Sequence, residues 1–426
     1  MSLVLCMFCV ILIPLAFAGL ALIQQGLGRS RSAAHTMLAT LCVLAITAII
    51  FVAFGFSWAG IAGGPAHSFT VRGSSWNWIG ALPLLSRGVQ FDESPGALVL
   101  CFHMFAVGLA GIIPIGTASG RWRLAAICSS SAVLAGIIYP LFSHWVWGGG
   151  WLSQLGSRFG LGIGFVDAGG SGTIHVVGGI AALVTTWIVG PRSTKYADDG
   201  SATAIPGHNM VMVLFGCILT LLGWMGLNCS ASLLFYNGFP LMQITRIIVN
   251  TMLCASSACL AAVVVTRIRY GKPDASLSAN GWVGGLVAGS AGCLFVSPMA
   301  MIIIGVFSGV MIPFLAEILE LRLKVDDPGG AISVHGAAGI WGLLALGIFA
   351  HIGSGLQSEQ LLAQFVGVAT LLGFMLPLIY GSYWLLNLVV RFRVDEVGDR
   401  RGMDIRELGA EAYPEYVIHS DDFTLR

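Results

Sequence analysis

Apolar stretches of 18 or more residues recur from one end of the chain to the other. As a helix rising 1.5 Å per residue, each is long enough to cross the roughly 30 Å hydrocarbon core of a bilayer. In that solvent every backbone N–H and C=O needs an internal partner, which only helices and closed barrels supply. A barrel would show short segments of alternating polarity, and none are visible. The reading is therefore an all-α integral membrane protein. Composition agrees: 56% of the 426 residues are hydrophobic and 10% charged, against roughly 25% charged in soluble domains. A formal charge of +1 and the lack of a basic domain argue against nucleic acid as a partner.

The ten cysteines all fall in apolar segments and read as small, polarizable packing residues rather than a disulfide framework. Cys6 and Cys9 form a CxxC, but no second ligand pair follows it. The first segment, LVLCMFCVILIPLAFAGLALI, lacks the basic lead of a signal peptide and reads as a true span.

Eleven apolar segments can be placed, at about 2–24, 35–59, 95–118, 124–146, 172–190, 209–231, 240–266, 277–296, 299–320, 332–352 and 360–390. Connections of odd number hold Arg29, Arg31, Arg121, Arg123, Arg192, Lys195, Arg267, Arg269, Lys272, Arg322 and Lys324, and the last span ends at Arg391 and Arg393. Connections of even number hold only Arg72, Arg87 and Arg158. By the positive-inside rule the N-terminus lies outside the cell membrane, and residues 394–426 form a cytoplasmic tail.

One motif occurs twice. DAGGSGTIHVVGGIAALV (167–184) aligns with DPGGAISVHGAAGIWGLL (327–344) at Asp, Gly, Gly, His, Gly and Ile. Five spans separate the copies, so the first enters from outside and the second from inside. This predicts an inverted five-plus-five repeat, about 2–190 and 209–352, with helix eleven added. Such repeats place their sites near the midplane. Eight residues of helix rise about 12 Å, near half the core, so His175 and His335 should meet in the middle. Intramembrane histidines are functional candidates by default. Two neutral imidazoles in contact offer both a donor and an acceptor to a small polar guest. No carboxylate cage for a metal is visible, no cofactor is called for, and no nucleophile–base constellation points to an enzyme.

At these residues the sequence resembles the ammonium transporter (Amt) branch of the Amt/Rh family. The resemblance rests on HWVWGGGWL (144–152), DAGGSGTIH (167–175), GWMGLN (223–228), VDDPGGAISVHGAAG (325–339) and GMDIRELGAEAY (402–413), and runs from LALIQQGL (20–27) to Tyr413. It implies an Amt-type transmembrane domain over residues 1–393 and a homotrimer with one pore per subunit. Ammonium or ammonia would pass a twin-histidine site, here His175 and His335. It also implies a tail that docks on neighbouring subunits, where PII-type signalling proteins act.

Ammonium recruitment is expected at Trp147, whose indole face attracts a small cation by ~0.5–2 kcal/mol. Phe102 matches a neighbouring aromatic of the family. Asp167 is expected to cap span five and stabilise the vestibule electrostatically. Three entrance positions depart from the family pattern. Leu227 stands where a gate phenylalanine belongs, and Ala231 where a serine belongs. The other gate phenylalanine falls on Ala106, or one residue away on Phe105; both alignments stay open. These departures predict a wider throat and weaker recruitment. His103 is a candidate polar lining group or a packing residue. The alternatives to transport are an ammonium sensor signalling through its tail with little flux, and an Rh-like electroneutral gas channel.

Overall fold

The computed structural model describes residues 3–71, 73–92, 94–238, 243–350, 352 and 357–413. Arg72 and the tail beyond Tyr413 lie outside these. The chain is mostly helical. In order, the principal helices are α1 (Leu3–Leu27), α2 (Ser30–Ala59), α3 (Pro95–Thr117), α4 (Leu124–Val146), α5 (Ser171–Val189), α6 (Met210–Phe235), α7 (Ile244–Tyr270), α8 (Ala275–Ser290), α9 (Pro298–Arg322), α10 (Ile332–Phe349) and α11 (Gln357–Val389). Among the described residues, all but α8 are long and apolar enough to cross a bilayer, which makes ten.

The segment expected at 277–296 is thus a shorter helix of 16 residues. It stops because its end is claimed from across the bundle. Ser171 Oγ accepts from Ala291 N at 2.7 Å, and Ala168 N donates to Ala291 O at 3.1 Å. Those bonds replace the next helical turn and tie α8 to the start of α5.

Glycine sets how closely the helices approach. A Cβ on Gly19 of α1 would stand 2.6 Å from Gly216 O of α6, and one on Gly216 would stand 2.6 Å from Gly19 O. Small residues let backbones touch where lipid offers no hydrophobic drive for association. Buried apolar side chains then form one large core through the bundle, with a small second cluster around Ile113 and Ile332.

The connection between α2 and α3 contains an antiparallel hairpin, β1 (Ala66–Val71) with β2 (Ser74–Gly80), bulged between His67 and Ser68. An isolated hairpin is marginal in water. This one is pinned to the bundle: Trp145 Nε1 donates to Trp78 O at 2.7 Å, and Asn77 Nδ2 donates to Gly149 O at 3.2 Å.

At the opposite end of the bundle the charges interlock. Arg192 grips Asp326 bidentately at 2.8 and 2.7 Å. Arg121, fully buried, donates to Gly190 O at 2.6 Å and Asp326 O at 2.7 Å. Burial alone would raise the Asp326 pKa, but the Arg192 hydrogen bonds and the Arg121 charge outweigh it and hold it at about 2. The tail folds back onto this end. Asp404 accepts from Ala34 N and His35 N at the start of α2, at 3.2 and 2.7 Å. Glu407 accepts from Leu124 N at the start of α4 at 2.8 Å and meets His35 Nε2 at 2.9 Å. Two tail carboxylates therefore cap two membrane helices, where the helix dipole favours negative charge.

Candidate functional site

The two copies of the repeated motif fold alike. Each aspartate precedes a glycine of positive φ, Gly170 (90°) and Gly330 (67°), a conformation that glycine adopts without strain. A π-helical turn follows in each, Ser171–Val176 and Ile332–Ala337. There the bonds reach back five residues, Val177 N to Gly172 O and Ala338 N to Ser333 O. Such wide turns recur at functional sites because they re-aim one side chain within an otherwise regular helix. Here each turn carries a histidine.

The aspartates cap these turns. Asp167 is fully buried and accepts four hydrogen bonds: from Gly170 N (3.1 Å), Gly172 N (2.9 Å), Thr173 N (2.8 Å) and Thr173 Oγ1 (2.9 Å). Asp327 accepts from Ala331 N (3.1 Å) and Ile332 N (2.8 Å). Both carboxylates face the helix start.

Helices α5 and α10 cross where Gly179 meets the Gly336 backbone, with no room for a Cβ on Gly179. Gly172 lies against Leu343 and Gly339 against Val176, so position falls on one helix as it rises on the other. The two helices are therefore antiparallel at the crossing. His175 Nδ1 and His335 Nδ1 come within 3.3 Å, with ring centroids 5.3 Å apart. Both rings are buried, at 0% and 3% exposure. One Nδ1 must donate and the other accept, so the two neutral rings share a single Nδ1 proton between them. His175 is fixed from a third helix: Trp224 of α6 stacks on it at 4.8 Å and 9°. Trp224 Nε1 is itself held by Ser290 Oγ at 3.1 Å. His175 Nε2 is buried and has no hydrogen-bond partner in the protein.

A second cluster surrounds Trp147, at the end of α4. Its Nε1 donates to Asp167 O at 2.9 Å, so the start of α5 sets the angle of the indole. Phe235 of α6 lies flat on it at 4.7 Å and 5°. Phe102 and His103 of α3 meet it at 5.6 and 5.7 Å. His103 Nδ1 shares a 2.8 Å hydrogen bond with Tyr139 of α4. Among the described residues, no group of three or more His, Cys, Asp or Glu could hold a metal ion.

Phe102, Trp147 and Asp167 thus come together in space, as do His175 and His335. Phe105 stands apart from both clusters, its ring 6.0 Å from Phe17 of α1. Ala106, Leu227 and Ala231 are fully buried. Leu227 and Ala231 follow Trp224 on one helical face of α6, and Phe235 continues it at steps of 3, 4 and 4 residues. That stripe links the two clusters over roughly 16 Å of helix. Trp224 and Phe235 are the residues that sequence reasoning missed. The signal was the stripe itself, which begins inside GWMGLN and reaches one turn past Ala231.

Matched against known proteins, residues 3–413 fit the model of the Ammonium Transporter Family. The chain is 32% identical to the ammonium transporter Amt2 of Archaeoglobus fulgidus, covering 98% of this chain and 89% of that protein. It is 28% identical to the ammonium transporter of Bacillus subtilis, covering 95% and 96%. Among solved structures, one described as a "Sensor Amt Protein" superposes with a TM-score of 0.84 at 27% identity, covering 95% and 97%. The fold is also that of Saccharomyces cerevisiae Mep2, with a TM-score of 0.77 at 23% identity, covering 92% and 90%. The two sequence relatives are ammonium transporters by name, not enzymes, and the family match spans the bundle and the described tail alike. The chain is a multi-pass membrane protein and belongs to the ammonium transporter family.

Proposed function

We propose that the chain carries ammonium across the cell membrane, recruiting the cation at Trp147 and passing ammonia between His175 and His335. The observation that carries this reading is the 3.3 Å contact of two buried imidazoles from antiparallel helices. Ammonium costs much to move into an apolar interior, and ammonia costs little. Ammonium gives its proton to the hydrogen-bonded His175–His335 pair, ammonia crosses, and the pair releases a proton to ammonia on the far side, so one positive charge crosses with each molecule. The lone Nε2 of His175 is the ring atom that meets ammonia on this route, accepting or donating according to which ring holds the shared Nδ1 proton. The N-terminus faces outside, the Arg121 end faces the cytoplasm, and α8 completes eleven spans in two inverted repeats. The subunit works in a homotrimer, with PII-type proteins reaching the tail side. Support for the orientation is the crowding of Arg and Lys at one end. Support for the repeat is the shared run of aspartate, positive-φ glycine and π turn in two antiparallel helices.

Currents on a solid-supported membrane test the reading. Ammonium pulses should give a current with the native protein and none with His175→Ala. Native protein that gives neither a current nor an internal pH change ends it.

A second reading, an ammonium sensor with little flux, is favoured by one observation. Phe235 lies flat over Trp147, leaving no room for a cation between the rings. The likeness to a structure described as a sensor points the same way. Under this reading ammonium binds, and moves Phe235, without sustained current.

A further inference from the structure

Past His335, toward the Arg121 end, lies a small cavity with room for about one guest of water's size. Gln24 of α1, Gly116 of α3, Asn280 of α8, and Val334 and His335 of α10 line it. Gln24 is buried at 4% exposure. Its Nε2 donates to Ile112 O at 2.9 Å and Ile113 O at 3.4 Å. Only the amide nitrogen can face two carbonyls, so the orientation of the amide is fixed. The opposite atom, Oε1, is buried and has no protein partner. Gly116 makes room for this side chain: a Cβ there would stand 2.7 Å from Gln24 Cγ.

A buried amide oxygen left bare in a membrane protein is costly unless a guest satisfies it. The guest must donate a hydrogen bond, must be no larger than water, and must sit beside a pore imidazole. We propose that Gln24 Oε1 and His335 form an exit site for ammonia or ammonium. This inference rests on the transport reading above, in which His335 is the last pore histidine. Oε1 accepts an N–H of the guest as it leaves the apolar pore, and holds it beside His335, where the proton relayed by the histidine pair rejoins ammonia to form ammonium. The exit site acts after recruitment, so it governs the saturating rate rather than the half-saturating concentration.

The test compares currents from native protein with those from Gln24→Leu, Gly116→Ala and Gln24→Glu. Gln24→Leu removes the acceptor, and Gly116→Ala pushes Gln24 into the cavity. Both should lower the saturating ammonium current at least five-fold, with half-saturation unchanged within two-fold. Gln24→Glu keeps an acceptor but loses the donor that binds Ile112 and Ile113, and should keep most of the current. If Gln24 serves only to tie α1 to α3, Glu fails along with Leu, and the proposal is overturned. Native currents in both Leu and Ala variants also overturn it. A crystal soaked in rubidium, an anomalously scattering cation of ammonium's size, should show a peak within hydrogen-bonding range of Gln24 Oε1. An ordered water with no rubidium peak removes the assignment to ammonium. A native protein without any current defeats the transport reading, and the rubidium peak then judges the exit site separately.

Discussion

The histidine centre and the Trp147 cluster border one face of α6 but are built in different ways. The centre is made from the same local code used twice: aspartate cap, positive-φ glycine, π turn, histidine. Each half positions its own ring, and the glycine crossing then joins them. The Trp147 cluster has no such internal template. It draws one ring each from α4 and α6 and two from α3, and its indole is aimed by the backbone of Asp167. A centre fixed by local geometry leaves little freedom to vary. A cluster assembled from three helices can exchange members, and here Phe235 covers the tryptophan on the helix face that carries Leu227 and Ala231.

The largest effect expected from this contrast is at the centre. His335→Ala should reduce ammonium current by at least ten-fold, read on a solid-supported membrane, while the protein still folds; a residual current above half of native would break the comparison. Next comes the asymmetry between the two caps. Asp167→Ala strips four hydrogen bonds from buried groups, and Asp327→Ala strips two. At about 1–3 kcal/mol for each buried group left unpaired, thermal unfolding in detergent should show the Asp167 change as the more damaging. Equal losses would mean the two halves are energetically alike despite the different bond counts.

Trp147→Leu should raise the half-saturating ammonium concentration by about two- to thirty-fold, the equivalent of ~0.5–2 kcal/mol of cation–π attraction. Its saturating current should change less than that of His335→Ala. Equal loss of both parameters would show that the tryptophan belongs with the centre. The smallest effect concerns the charged end, far from both clusters. Asp326 is held at about 2, below its ordinary value near 4. A depressed carboxylate contributes stability that is fully present above the unfolded pKa and is lost as pH falls toward the folded one. The melting temperature should therefore hold from pH 7 to about 4 and drop below that, by about 2 kcal/mol of stability from this group. Asp326→Asn should lower the melting temperature at pH 7 and flatten the drop.

Much of the fold could be read from the chain because a bilayer permits so few solutions. Ten helices stand close to where long apolar runs lie. The segment near 277–296 is shorter than its hydropathy suggested, because bonds from Ser171 and Ala168 end the helix at Ala291. No local pattern reveals a partner 120 residues away. No apolar span falls at 66–80, and the hairpin there is pinned by the bundle rather than by its own sequence. At the site, the meeting of His175 and His335 was legible from spacing and repetition. Trp224 and Phe235 were not, because stacking depends on how α6 lies against α4 and α5.

Sequence by itself determined that this chain lives in a membrane, which face collects its basic residues, and that two histidines share one depth. Apolar length, charge count and helical rise are local quantities, and they add up along a chain without knowledge of its neighbours. Only the tertiary structure decided which ring covers Trp147, where Phe105 points, and that the Gln24 amide leaves a bare oxygen beneath His335. Those outcomes depend on the rotation and separation of packed helices.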